Sequence, residues 1–210
     1  MPINRTDQEA SPPAGGLLLL DMDIKTSKTR SFIAINLPAE IKARLGRLMD
    51  ELRSKGAPAD IKWVNSDGIH ITLHFLGYLT AQQLERVAEI INHSITSPAK
   101  INLKLTTLGG FPNLKKPRTL FMGCQEVGDN KLSDLRAKIG QALKHIKLEI
   151  DERPWSIHLT LARLNAPQAI SIPIMKDESL NFIASSVDLM KSELSRSGAK
   201  YSLIKKFNLK

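Results

Sequence analysis

Histidine is scarce in this 210-residue chain, and two of its five copies stand in the same four-residue frame. His70-Ile71-Thr72-Leu73 and His158-Leu159-Thr160-Leu161 both read H-x-T-L. Each lies in an apolar run, 69–76 and 157–164, of the kind that forms a buried strand. Side chains alternate between the two faces of a strand, so an imidazole and a hydroxyl two positions apart point the same way. Two such strands together supply two proton carriers and two neutral donors. That set suits in-line attack on a phosphodiester without a metal. One group takes a proton from the nucleophile, one gives a proton to the leaving oxygen, and the hydroxyls hold the non-bridging oxygens.

One H-x-T-L is ordinary sheet sequence; the second copy in a matching strand makes the pattern a candidate site. His74 shares the first strand, and strict alternation puts it on the face of His70 and Thr72. Its counterpart in the second copy is Ala162, so a symmetric mechanism leaves His74 at the pocket edge. His93 and His145 have no matching partners and read as surface residues. The serines show no nucleophile elbow, and no glycine-rich loop has the Walker or dinucleotide spacing. No Asp or Glu stands at ligand spacing beside either motif histidine, so neither a metal nor another cofactor is expected. Arg163 ends the second motif, where strict alternation puts it opposite His158. Lys115, Lys116 and Arg118 cluster after Phe111, a residue that fits hydrophobic packing or stacking on a base.

The elements that must position these residues follow from periodicity. Residues 32–35 read as a strand, and Pro38 then opens a helix striped by Ile41, Leu45, Leu48 and Leu52. Residues 61–64 are a short extended piece before the first motif strand, which stops at Gly77. Thr80 is placed to cap a second helix reaching about Thr96. Residues 101–108 alternate as a strand, and Gly109, Gly110, Pro112 and Pro117 mark a loop. The second half repeats this grammar: a strand at 118–124, a helix after Asp129, a short extended piece at 146–150 and the second motif strand. Residues 182–194 and 201–209 close the chain as two strands. The expectation is an α+β fold, two-lobed and pseudo-symmetric, each lobe an antiparallel sheet packed with helices. The motif strands would line a cleft between the lobes.

A net charge of +9 predicts attraction to polyanions. Apolar content of 42% and charged content of 24% are those of an ordinary globular protein. Residues 1–29, with Pro12, Pro13, Gly15 and Gly16, read as a flexible tail, and residues 30–210 as one bilobal domain. No apolar stretch approaches membrane-spanning length, so no membrane partner is expected. The single cysteine, Cys124, lies in an apolar run and reads as core; a reducing cytoplasm is the simplest location. A monomer is the expected state.

At these residues the chain resembles the 2H phosphoesterases, which are named for two H-x-T/S-x motifs. Within them it is similar to the RNA 2′,3′-cyclic phosphodiesterases, also called 2′-5′ RNA ligases. The resemblance runs from Arg30 to the C-terminus. It includes Arg30-Ser31-Phe32-Ile33-Ala34-Ile35, Trp63-Val64, His70 to Gly77, Phe111-Pro112, Pro117-Arg118 with Gly123, and His158 to Arg163. The ending also fits, through 189–195, Gly198 and 201–209. The resemblance implies metal-independent hydrolysis of a terminal RNA 2′,3′-cyclic phosphate to a 2′-phosphate. It implies His70 as proton donor and His158 as proton acceptor, with Thr72 and Thr160 on the phosphoryl oxygens. The same groups would run the reverse reaction, 2′-5′ ligation. The partner would be an RNA with a 2′,3′-cyclic phosphate terminus, such as a tRNA-like fragment. Arg163, Lys115, Lys116, Arg118 and Phe111 are the candidates for its binding. The alternatives are a module of this fold that binds RNA or nucleotides without turnover, and a hydrolase of another cyclic or 2′-5′ phosphodiester.

Overall fold

The structure, a computed structural model, describes residues 27–55, 57, 60–95, 100–168, 180–195 and 198–209. The expected tail lies outside these apart from its last three residues, and Thr29 already begins a strand. The elements in chain order are β1 (Thr29–Asn36), α1 (Ala39–Ser54), β2 (Lys62–Trp63), β3 (His70–Leu79), α2 (Ala81–Ser94), β4 (Ile101–Phe111) and β5 (Thr119–Glu126). They continue with α3 (Lys131–His145), β6 (His158–Arg163), β7 (Asn181–Ala184), β8 (Ser186–Ser195) and β9 (Gly198–Asn208).

The strands of the described residues join into one sheet in the order β7-β4-β5-β6-β3-β1-β8-β9, with β2 added beside β6. The pseudo-two-fold axis passes between β6 and β3. Either side of it is an antiparallel set of four, and each set takes strands from the other half of the chain. The early strand β4 pairs with β5 and β7, while the late strand β8 pairs with β1. The two halves of the sequence are thus interleaved. The motif strands are neighbours in the sheet, meeting at one residue pair, Ile71 with Leu159.

One face of the sheet carries the core. Ile33, Ile35, Ile71, Leu73, Leu159 and Leu161 pack there with Ile41 and Leu45 of α1, Val87 and Ile91 of α2, and Leu132 and Ile139 of α3. Burying such side chains is worth roughly 1.5–3 kcal/mol each. Thr80 caps α2 as expected: its hydroxyl accepts from Gln83 N at 3.3 Å and its own N–H donates to Gln83 Oε1 at 2.9 Å. Helix α3 begins after Asp129 as expected, and Glu126 at the end of β5 satisfies its first turn. The Glu126 carboxylate accepts from Leu132 N at 2.5 Å and from Ser133 N at 3.2 Å.

Three local expectations change. Gly109 and Gly110 are strand, not loop, since β4 runs to Phe111. They are glycine because rings cover them: a Cβ on Gly109 would lie 2.3 Å from the Phe121 ring, and one on Gly110 would lie 2.7 Å from Pro117. Residues 146–150 form no strand, since Lys147 adopts φ 60° and turns the chain straight after α3. The closing residues make three strands rather than two, with a break at Ser185.

Candidate active site

The two motifs fold alike, residue by residue. Over six positions, His70–Phe75 and His158–Arg163, the burial sequence is identical: half-buried, buried, half-buried, buried, buried, exposed. Each strand carries a β-bulge at the fourth motif position. Against β1, Ala34 pairs with Thr72 and Ile33 with His74, leaving Leu73 as the extra residue. Against β5, Phe121 pairs with Thr160 and Leu120 with Ala162, leaving Leu161 extra. A bulge adds one residue and reverses the alternation beyond it.

That reversal corrects two sequence expectations. His74 turns away from His70 into the core, where it is 4% exposed and its Nε2–H donates to the Arg136 carbonyl at 2.9 Å. Burial lowers its pKa, the carbonyl opposes that, and the Arg136 charge lowers it further. Arg163 comes round to the histidine face, and its positive charge is felt by His70.

The Ile71–Leu159 pair faces the core, so its neighbours face the other way. Continuing the antiparallel register one residue on either side sets His70 across from Thr160 and Thr72 across from His158. All four are half-buried. Each imidazole is fixed by the carbonyl two residues before it. His70 Nδ1–H donates to Gly68 O at 2.7 Å, and His158 Nδ1–H donates to Ser156 O at 2.8 Å. A carbonyl only accepts, so Nδ1 holds the hydrogen in both rings and both Nε2 atoms remain for chemistry. Gly68 reaches its position through the Ser66–Gly68 turn, capped by Asn65 Oδ1 on Asp67 N at 3.0 Å.

Aromatic rings flank each histidine. Phe32 lies 4.8 Å from the His70 ring, and Tyr201 of β9 meets it edge-on at 5.0 Å. Phe111 and Phe121 stand 5.2 and 5.5 Å from His158 and stack on each other at 4.4 Å. Phe111 is therefore no core residue; it is 41% exposed beside a motif histidine. Burial holds the His70 imidazole down to about 4, against the Gly68 hydrogen bond, and Lys42, His158 and Arg163 repel its proton further. Lys42 is itself fixed by donating to Asp67 O at 2.6 Å.

A second set of contacts ties the first motif to the approach of the second. The Trp155 indole N–H donates to Thr72 O at 3.1 Å, and Arg136 Nε donates to Leu73 O at 3.1 Å. The Arg136 guanidinium lies over the Trp155 ring at 4.8 Å. Trp155, Arg136, Tyr201, Phe32 and Phe121 were not singled out from the sequence. They lack a spacing signal, because register alone brings them to the motifs.

Lys115 and Lys116 lie exposed in the loop between β4 and β5, with Lys116 N donating to Asn113 Oδ1 at 3.0 Å; Arg118 is exposed at its end. Cys124 is buried, and burial pushes its thiol up to about 12. Among the described residues, no group of three or more His, Cys, Asp and Glu side chains is placed to hold a metal ion. Among the described residues no helix is long and apolar enough to cross a membrane.

Known proteins share this chain's sequence and fold. A family profile described as LigT like Phosphoesterase matches residues 35–121. The RNA 2′,3′-cyclic phosphodiesterase of Methanocaldococcus jannaschii is 30% identical over 185 residues, covering 85% of this chain and 99% of that protein. The chain belongs to the LigT-like phosphoesterase family. A second family member, the RNA 2′,3′-cyclic phosphodiesterase of Methanothermobacter thermautotrophicus, is 25% identical over 87% of this chain and the whole of its own length. The family fold is matched by the crystal structure of TT0787 from Thermus thermophilus, with TM-score 0.72 and 28% identity over 86% of this chain and 97% of that one. As a family member the chain is a phosphoesterase of α+β fold built on an antiparallel sheet.

Proposed function

We propose that the protein hydrolyses the 2′,3′-cyclic phosphate at the end of an RNA to a 2′-phosphate. The observation that carries this reading is the matched pair of imidazoles, each fixed through Nδ1 with Nε2 left for the substrate and each across the strand from a threonine hydroxyl. His158 takes a proton from water, whose oxygen forms a bond to phosphorus. His70, charged on Nε2 when the anionic phosphate lies beside it, gives that proton to the 3′ oxygen as the bond from phosphorus to that oxygen breaks. Thr72 and Thr160 donate to the non-bridging oxygens. Run backwards with the two roles exchanged, the same groups join a 2′-5′ bond.

No step calls for a metal or a nucleoside triphosphate, so turnover should persist in excess chelator. Every group named comes from one chain, and a monomer is the active unit in this reading. Lys115, Lys116 and Arg118 guide the RNA backbone, and Phe111 stacks on a base. The buried single cysteine suits a cytoplasmic setting. Two relatives over nearly their whole length carry the name of the proposed activity, which favours it over binding without turnover.

The test is hydrolysis of a dinucleotide ending in 2′,3′-cyclic phosphate by the wild type and by His158→Ala. The wild type should give the 2′-phosphate, and the variant should lose several orders of magnitude. Equal rates would leave a binding module as the reading.

A further inference from the structure

We propose that Lys62 and Arg163 form a second anion site, which holds the phosphodiester next to the reacting phosphate in an RNA end. This rests on the reading of the substrate given above and extends it from a terminal nucleotide to a chain.

Lys62 of β2 lies directly opposite Arg163 of β6, which lies opposite Thr119 of β5. Directly opposed residues in antiparallel strands share a face, with Cβ atoms about 5 Å apart. That face is the face of the catalytic histidines, because the bulge at Leu161 brings Arg163 there and its charge acts on His70. Both cations are exposed.

Like charges in directly opposed positions destabilise a sheet. A carboxylate ordinarily relieves such a pair. Among the described residues the ion pairs at Arg53–Asp50, Lys55–Glu51, Lys131–Asp129, Lys144–Glu152, Arg153–Asp151 and Lys191–Glu193 involve neither cation. Lys62 and Arg163 have no such relief among the described residues. An anionic ligand supplies it. The guanidinium offers two parallel donors to a phosphate, the ammonium a compact charge, and the Thr119 hydroxyl a neutral donor in the same row.

Position selects which phosphate. Arg163 stands three residues beyond Thr160, the residue across from His70, on the order of 10 Å along the strand. The pair therefore lies beyond the reacting phosphorus, where a bound chain continues. A 2′,3′-cyclic phosphate ends the chain at its 3′ side. The next phosphate is the one that joins the terminal nucleoside, through its 5′ oxygen, to the nucleoside before it. A mononucleoside cyclic phosphate has none, so the site distinguishes RNA ends from free cyclic nucleotides.

The experiment compares a dinucleotide ending in 2′,3′-cyclic phosphate with the corresponding mononucleoside 2′,3′-cyclic phosphate, on wild type, Lys62→Gln and Lys62→Arg. Lys62→Gln should raise the dinucleotide KM about tenfold relative to the mononucleotide KM, the size expected for a lost charge-assisted contact, and Lys62→Arg should restore the ratio. An unchanged KM ratio in Lys62→Gln overturns the site. If the wild type turns over neither substrate, the substrate reading itself fails, and that is visible before any variant is measured.

Discussion

Ile71 pairs with Leu159 across the centre of the sheet, both fully buried, and this contact of two core residues organises the chemistry. Their side chains point into the core, so the histidine and threonine on either side of each must point out of it. Any slip of β3 against β6 by one residue would put an imidazole into the core and an aliphatic chain into the site. Packing energy thus fixes the alignment of the two imidazoles and the two hydroxyls.

Two histidines acting as one unit are not additive. His70→Ala and His158→Ala should each lower kcat/KM by several orders of magnitude, and the double variant should lose little more. Thr72→Ala and Thr160→Ala should each cost less, on the order of 10–1000-fold. Steady-state kinetics on a cyclic-phosphate dinucleotide checks all five, and near-normal rates in both histidine variants would sink the two-histidine mechanism.

His70 makes stability depend on pH in a defined direction. Its imidazole is held down to about 4 in the folded protein, mainly by burial, against an ordinary value near 6.5 in the unfolded chain. Between these values the unfolded state binds the extra proton. Stability should therefore fall as the pH drops from about 6.5 towards 4, by at most about 3 kcal/mol for a half-buried ring. Urea unfolding of the wild type should show this slope, and His70→Asn should flatten it. Bound inorganic phosphate favours the charged ring, so the His70 titration seen by NMR should move up when phosphate is added.

Trp155 holds the backbone at Thr72 and immediately precedes Ser156, whose carbonyl fixes His158. Trp155→Phe keeps one aromatic ring and removes the indole donor together with part of the ring volume beside Arg136. The melting free energy should fall by about 1 kcal/mol, and kcat should fall by about tenfold with KM little changed. An unaltered kcat would show that the Thr72 carbonyl needs no such anchor.

His74 is the other strand β3 histidine, and its place in the core sets a different expectation. His74→Ala removes the imidazole N–H that donates to the Arg136 carbonyl and opens space beneath Gly140, which the His74 ring now fills. It should cost about 1–3 kcal/mol of stability, while the folded variant keeps kcat within a few-fold. A kcat loss as large as that of His70→Ala would mean that the wrong histidine had been assigned to the site.

The motifs, most strands and the three α-helices of the described residues were legible because periodicity reports burial directly. What strict alternation missed was the bulge, which misplaced His74 and Arg163. A signal for it was present: the apolar positions run Ile71, Leu73, Leu76 and Leu159, Leu161, Leu164, a step of two and then of three in both copies. Gly109 and Gly110 read as a turn because glycine more often serves a turn than makes room for a ring such as Phe121. The exchange of β4 and β8 between the two sides had no local signature, since pairing partners far apart in sequence leave no trace in either strand alone.

That exchange bears on how the protein is made. The ring that closes over His70 belongs to Tyr201, on β9, and the strand on the other side of β1 from β3 comes only after residue 185. A ribosome must therefore release nearly the whole chain before the first histidine acquires its surroundings. A polypeptide that stops before Tyr201 carries both motifs without the ring that covers His70.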